Sequence, residues 1–313
     1  MAPRTQPTPP EATALLIGEA LIDVVHRADG SIDEHPGGSP ANVALTLGRL
    51  QRRAELLTWI GSDAYGDLIR KWLAGSHVAL ASGSDGAAST SLATARLGAD
   101  GAATYEFDLE WNLTKNAVVP EGTVVVHTGS IAAVLEPGAT AVRKIVESVR
   151  HRATITYDPN VRPTLMGSPA HARPLIEALV HAADVVKVSD EDLLWLYPGA
   201  DLSVIATTWQ RSGPAIVVVT YGGEGAVAYT ATSRLEVKAP SVTVADTVGA
   251  GDSFMGALIN GLWSADLLGA AKRRALAAIN SDVLQGVLEQ CVQVAAITVS
   301  RAGANPPRLA ELG

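Results

Sequence analysis

A single cysteine, Cys291, occurs in 313 residues. That scarcity excludes internal disulfides and fits a reducing, cytoplasmic setting. No apolar run is long enough to cross a bilayer, so no membrane role is expected. The start of the chain, Met1 to Glu11, is rich in Pro and Thr and has no hydrophobic stretch. It reads as a disordered tail over residues 1–12 and not as a signal peptide. There is no Lys/Arg cluster, and the formal net charge is −8; both argue against nucleic acid as a partner. A phosphorylated small ligand stays open, because backbone N–H groups and a bound metal neutralise one locally. The chain has no Gly-x4-Gly-Lys-Ser/Thr string and so no P-loop. The seven histidines are scattered without metal-ligand spacing. A Gly-x-Ser-x-Gly nucleophile elbow is also missing, as are fixed-period repeats and low-complexity linkers.

What is present is a soluble, globular composition, with 47% hydrophobic and 18% charged residues. The length allows one large α/β domain or a domain with an appendage. Continuous apolar runs at Ala14–Ile17, Ala54–Ile60, Val124–Thr128, Thr154–Tyr157, Val185–Val188 and Ala215–Thr220 read as strands. Between them lie helical stretches at Ala41–Leu50, Tyr65–Gly75, Ala139–His151, Ala170–Ala182 and Leu202–Arg211. Three more follow at Ser253–Trp263, Leu267–Ile279 and Leu284–Ser300. This alternation predicts βαβ units and a mostly parallel sheet covered on both faces. Two segments break the rhythm, about 19–36 and 91–112. Each alternates in strand fashion around an Asp-Gly turn, Asp29-Gly30 and Asp100-Gly101. They predict a small β appendage inserted twice into a domain spanning 13–310, or two ordinary surface hairpins.

The most informative stretch is Asp246-Thr-Val-Gly249-Ala250-Gly251-Asp252-Ser-Phe-Met-Gly256. Small residues let the backbone turn tightly and bring its N–H groups close to a ligand. A helix starting there adds orphan N–H groups and the positive end of its dipole. Together they make an anion site suited to a phosphoryl group. Asp252 stands at its rim, where it can take the proton of an attacking hydroxyl.

Other polar segments follow predicted strands, where α/β sheets bind ligands. Gly18-Glu-Ala-Leu-Ile-Asp23 and Gly37-Gly38-Ser-Pro-Ala-Asn42 suit a polyol, with Asp23 and Asn42 on its hydroxyls; Asn42 equally suits a first-turn cap. Gly61-Ser-Asp63 suits a loop with an Asp or Ser cap. Asp158-Pro-Asn160-Val-Arg162-Pro reads as a polar ligand site or as a rigid turn with a local Asp–Arg pair. Ser189-Asp-Glu-Asp192 reads as a metal site or the acidic first turn of a helix. Thr220-Tyr-Gly222-Gly223-Glu-Gly225 is a hairpin turn or a place for a nucleotide against backbone. Glu106, Asp108 and Trp111 line a sugar pocket or belong to the appendage surface.

These segments, in this order, resemble the ribokinase-like carbohydrate kinases, also called the phosphofructokinase-B family. Both signatures, Gly37-Gly38-Ser-Pro-Ala-Asn42 and Asp246–Phe254, are present, and the likeness runs from about Thr13 to Pro307. The resemblance implies a three-layer α/β/α sandwich with a β lid, and transfer of the ATP γ-phosphate to a sugar hydroxyl with Mg²⁺. Fructose is the first candidate; ribose, 2-keto-3-deoxygluconate and a nucleoside are alternatives, as is a non-catalytic sensor. It implies Asp252 as base and Gly249, Ala250 and Gly251 as anion hole. It further implies Asp23, Gly38 and Asn42 as sugar ligands, with Arg162 as a further substrate contact from the strand-end motif above. Thr220, Gly222 and Gly225 fall on the nucleotide turn. The family's Asn-x-x-Glu magnesium motif is replaced by Ser189-Asp-Glu-Asp192, leaving Asp192 as the magnesium candidate. A K⁺ site would use Asp246, Val248, Thr298, Arg301 and Gly303, although Pro307 stands where potassium-dependent relatives often carry serine. Leu92, Ala95 and Leu97 suggest an apolar lid face for a homodimer.

Overall fold

The structure, a computed structural model, describes residues 11–27, 30–97, 103–113 and 117–312, with backbone alone at 97 and 103–105. Most of the expected tail and parts of both Asp-Gly turns (Asp29, Asp100, Gly101) lie outside these residues. The chain runs β1 (Thr13–Ile17), β2 (Leu21–His26), β3 (Ile32–Gly37), α1 (Ser39–Arg49), β4 (Ala54–Leu57), α2 (Ala64–Ala74) and β5 (Val78–Leu80). Next come β6 (Leu92–Leu97), β7 (Ala103–Asp108), β8 (Thr123–Gly129), α3 (Gly138–Val149), β9 (Thr154–Asp158), α4 (Pro163–Met166) and α5 (Pro169–Ala182). Then follow β10 (Val185–Ser189), α6 (Asp190–Leu196), α7 (Leu202–Ser212), β11 (Ile216–Thr220), β12 (Ala226–Tyr229) and β13 (Arg234–Val237). The chain ends in α8 (Ala250–Ser264), α9 (Arg273–Ala277) and α10 (Ser281–Val299).

Among the described residues the main sheet has nine strands, in the order β13-β12-β11-β10-β9-β8-β1-β4-β5. Every pairing from β5 to β11 is parallel, and β12 and β13 extend it by antiparallel pairs. Strands buried on both faces need apolar side chains at every position. Along β11, Ile216 and Val218 join one core cluster while Val217 and Val219 join the other. Helices α1, α2, α8 and α10 supply the first cluster and α3, α5, α6 and α7 the second. This is the expected three-layer α/β/α sandwich.

A second sheet has the order β3-β2-β6-β7. It joins the two hairpins through a parallel β2–β6 pair, so the interrupting segments form one unit. Ile22 and Val24 turn into the first core cluster; by the two-residue period, Asp23 faces the other way. The same period corrects the expected apolar lid face, because Leu92 and Ala95 fall on opposite sides of β6, and Leu92 packs on the core. Trp111 is a core residue too, its indole N–H donating to the Ala132 carbonyl at 3.2 Å. The expected helix Leu267–Ile279 shrinks to a 3-10 turn at Ala270–Lys272 and the short α9. Gly269, at φ 97°, sits in the left-handed region and interrupts it.

Candidate active site

The strand order reverses direction of growth between β1 and β8, the kind of switch point where parallel sheets open a crevice. Register places the carboxyl ends of neighbouring strands side by side: Ile17 beside Thr128, Gly129 beside Asp158, and Ser189 beside Thr220. Thus the segments after β1, β8, β9, β10 and β11 line one edge.

Helix α8 starts at that edge. Its N-cap, Gly249, has φ 75° and ψ 4° and offers no side-chain cap. A Cβ there would lie 2.6 Å from the Ala304 side chain, so both conformation and space call for glycine. The Ala250 amide bonds to Thr247, and the Ser253 amide to Gly249. The amides of Gly251 and Asp252 lie in the first turn, where a helix supplies no acceptor. Ser253 to Leu262 are all buried, since α8 packs between α1 and α10 and close to the sheet. Gly256 permits the approach of α1, because a Cβ would sit 2.6 Å from the Thr46 side chain.

That approach fixes Asp252, which is only 6% exposed. Its Oδ1 accepts the Ser39 hydroxyl at 2.7 Å and the Asn160 amide at 3.3 Å, and its Oδ2 accepts the Asn42 amide at 2.8 Å. Ser39 and Asn42 come from the first turns of α1, and Asn160 from the loop after β9. Asn42 therefore does not cap its own helix; its Oδ1 is buried without a hydrogen-bond partner. Asn160 adopts φ 37°, a left-handed conformation that asparagine tolerates and that clusters at functional sites.

Beneath the α8 turn lies an ion pair that the sequence reading missed. Lys187 Nζ is 2.8 Å from Asp158 Oδ2, with both side chains almost wholly buried. The ammonium also reaches the turn itself, for a Cβ on Gly251 would lie 2.8 Å from it. Burial raises the Asp158 pKa to about 6, against the pull of Lys187. For Lys187 burial acts downward, but Asp158, Asp192 and Asp252 together lift its pKa above the usual value. A raised Lys187 keeps its proton, which sets an ammonium close to the first turn of α8. The expected local Asp158–Arg162 pair is replaced by this one, and Arg162 instead donates to the Asn160 side chain at 2.7 Å. The available signal was a lysine inside Val185-Val-Lys187-Val, a charge in a strand that must be buried.

Asp23 is half-buried opposite His35. Burial raises its pKa to about 6, while His35 and Arg162 oppose the rise. Its carboxylate lies over Gly37, where a Cβ would come within 2.3 Å of Oδ2. Gly38, at φ 112°, packs against the Glu19 carbonyl. Asp23, Gly38 and Asn42 thus meet where β2, β3 and α1 converge.

The segment after β11 is a hairpin: Gly222–Glu224 form a 3-10 turn, and the Tyr221 amide bonds to the Gly225 carbonyl at 2.9 Å. The positions of a Cβ on Gly222 and Gly223 are open, whereas Gly225 (φ 115°) is pressed against Val237. Thr220 ends β11 on the same edge as Ser189. Asp192 closes a capping box with Ser189, the helix-start alternative for that segment. Its Oδ1 accepts the Val161 amide at 2.8 Å and its Oδ2 the Ser189 amide at 3.3 Å, which leaves only outer lone pairs for a metal's water. Asp246 accepts amides from Val248 and Gly303 at 3.0 and 2.9 Å. It so ties the turn before α8 to the loop after α10, and brings together part of the expected K⁺ set. Thr298 is fully buried, its hydroxyl donating to Val294. Val248 is exposed and Arg301 pairs with Glu311.

This layered sheet with its small second sheet is a ribokinase-like fold. Residues 12–310 match the pfkB family of carbohydrate kinases. A fructokinase of Rhizobium leguminosarum bv. trifolii is 30% identical over 282 residues, covering 87% of this chain and 85% of the relative. Fructokinase-2 of Solanum habrochaites is 33% identical over 307 residues, covering 92% and 90%. Among solved structures, an uncharacterized sugar kinase of Pyrococcus horikoshii superposes with TM-score 0.79 at 25% identity, covering 96% of each chain. A fructokinase of Xylella fastidiosa with bound ATP gives TM-score 0.81 at 24% identity, again over 96% of each. The chain belongs to the pfkB family and is a carbohydrate kinase.

Proposed function

We propose that this kinase transfers the γ-phosphoryl group of ATP to a hydroxyl of a small sugar, fructose before ribose or 2-keto-3-deoxygluconate. The observation that carries this reading is Asp252, held by three side chains beside the uncapped amides of α8. In the proposed reaction the carboxylate accepts the proton of the sugar hydroxyl as its oxygen attacks phosphorus. The amides of the Gly249–Gly251 turn, with Lys187 behind them, stabilise the charge spreading over the phosphoryl oxygens. Phosphoryl transfer depends mainly on such alignment and electrostatic support. The curated fructokinases of similar sequence favour fructose.

Asp23, Gly38 and Asn42 hold the sugar in this reading, with Arg162 nearby, and the second sheet closes over it to exclude water. The nucleotide lies along Thr220, Gly222 and Gly225. Magnesium keeps most of its waters and binds chiefly through substrate phosphates. That suits a chain whose described residues contain no cluster of three His, Cys, Asp or Glu side chains fit for a metal. Asp192 would act on it only through water. Asp246 and Gly303, with backbone near Val248, Thr298 and Arg301, are the proposed K⁺ loop.

The test is ADP release from ATP and magnesium with fructose, ribose, 2-keto-3-deoxygluconate or adenosine. Turnover with fructose at the highest kcat/KM is expected. Turnover with none of the four would overturn this choice of substrates.

A further inference from the structure

Glu19 has no role in the reading above, yet it is 7% exposed in the turn that follows β1, at the switch point of the sheet. Its Oε1 accepts the Ser39 amide at 3.2 Å, and its Oε2 is buried without completing a hydrogen bond. Ser39 is the first residue of α1, and its hydroxyl donates to Asp252. One residue therefore joins two carboxyl groups, by its amide to Glu19 and by its hydroxyl to Asp252. The fit around this joint is close. A Cβ on Gly38 would lie 2.3 Å from the Glu19 carbonyl, and one on Gly18 would lie 2.2 Å from Pro40 in α1. Gly38 gives α1 no side-chain cap, and the first turn of that helix contains no acidic residue. Glu19 is thus the carboxyl group that takes a backbone amide at the positive end of α1, while Asp252 meets the side chains of the same turn.

We propose that Glu19 is a positioning residue for phosphoryl transfer: by anchoring the Ser39 amide it fixes the start of α1, and with it the Ser39 hydroxyl and Asn42 amide that orient Asp252. The proposal rests on Asp252 being the base. Three groups face the Glu19 carboxyl from the elements around it: the Ser39 amide of α1, the Ser130 hydroxyl after β8 and the Arg162 charge after β9. Asp252 lies across Ser39, and Asp23 with His35 sits on the adjoining β2–β3 hairpin. Burial is the largest influence and raises the Glu19 pKa to about 7, while its own backbone amide, Ser130, Ser39 and Arg162 oppose it. Near neutrality the anchor changes from a neutral to an ionised acceptor, and the ionised form grips an N–H more firmly.

The experiment compares wild type with Glu19→Ala, Glu19→Gln and Asp252→Asn, using fructose and ATP·Mg from about pH 5.5 to about pH 9, with thermal unfolding to count folded enzyme. Loss of the anchor in Glu19→Ala is expected to lower kcat roughly ten- to a hundredfold, with the sugar KM within about twofold, because a small misplacement of the base is enough. Glu19→Gln keeps a neutral acceptor. It is expected within about threefold of wild type near pH 6 and progressively behind above pH 8, where the wild-type anchor is charged. Wild-type kcat per folded molecule in Glu19→Ala would overturn the proposal. A constant Glu19→Gln to wild-type ratio across the pH range would do the same, and decides the matter if the alanine variant does not fold. If Asp252→Asn is impaired while both Glu19 variants match wild type, only this inference falls; if wild type uses no sugar, the underlying reading falls first.

Discussion

The two edges of the main sheet each bury carboxyl groups, and they treat them differently. At the amino edge of β10, Asp184 is 6% exposed. Its Oδ2 accepts the Ile155 amide at 2.8 Å and Arg273 Nη2 at 3.1 Å, and its Oδ1 accepts Arg273 Nε at 2.7 Å. Arg273 Nη2 also donates to the Ala153 carbonyl at 2.8 Å, so the group staples β9 and β10 to α9. At the carboxyl edge, Glu19 Oε2 and Asn42 Oδ1 stay without partners, the α8 turn has no side-chain cap, and Asn160 takes a left-handed conformation. Buried polar groups are normally satisfied, and each exception calls for an explanation; for Glu19 and Asn42 the proposed site supplies one. One edge holds the protein together; the other leaves bonding capacity unused where the proposed substrate would sit.

Four substitutions and a pH series sharpen that contrast. The largest stability effect is expected at Lys187→Met, which strands the Asp158 charge and should cost about 3–5 kcal/mol in urea unfolding. Adding Asp158→Asn should recover much of it, yet kcat should stay low because the charge under the α8 turn is gone. Arg273→Met at the opposite edge should cost about 1–3 kcal/mol by the same measurement, since Asp184 keeps its backbone donor. Activity per folded molecule should be unchanged there; a tenfold loss of kcat would break the division between the edges. Ser39→Ala removes one hydrogen bond to Asp252 and should lower kcat about tenfold, with stability reduced by roughly 1 kcal/mol.

The smallest effect is on pH. Glu19, Asp23 and Asp158 all have raised pKa values, about 7, 6 and 6. A carboxyl raised by folding contributes its full share of stability below its unfolded pKa and loses it as pH rises through the folded value. Ligand-free protein should therefore lose stability between about pH 4.5 and pH 7.5 from these groups, and the loss should be shallower in Glu19→Gln. A Tm that rises steadily over that window, equally in both proteins, would contradict the sign.

Much of the fold was legible because buried parallel strands require unbroken apolar runs, and six such runs could be counted. The hairpin pair was legible through its turns, but its union by β2–β6 pairing was not, because register between distant strands leaves no local pattern. Likewise the Gly249–Asp252 turn declared itself through small residues at a helix start. Its supports did not: Ser39 meets Asp252 across 213 positions of chain, and only packing around Gly256 brings them together. The acidic run at Ser189–Asp192 fitted a metal site and a helix start equally, since capping and coordination draw on the same residue types; the capping box shows the helix start and leaves the magnesium role a proposal.

The most direct measurement is steady-state kinetics of Asp252→Asn with fructose and ATP·Mg beside wild type. A base held by Ser39, Asn42 and Asn160 predicts kcat lower by roughly two to four orders of magnitude, with the sugar KM little changed. Near-normal kcat in that variant, at full folding, would contradict the account.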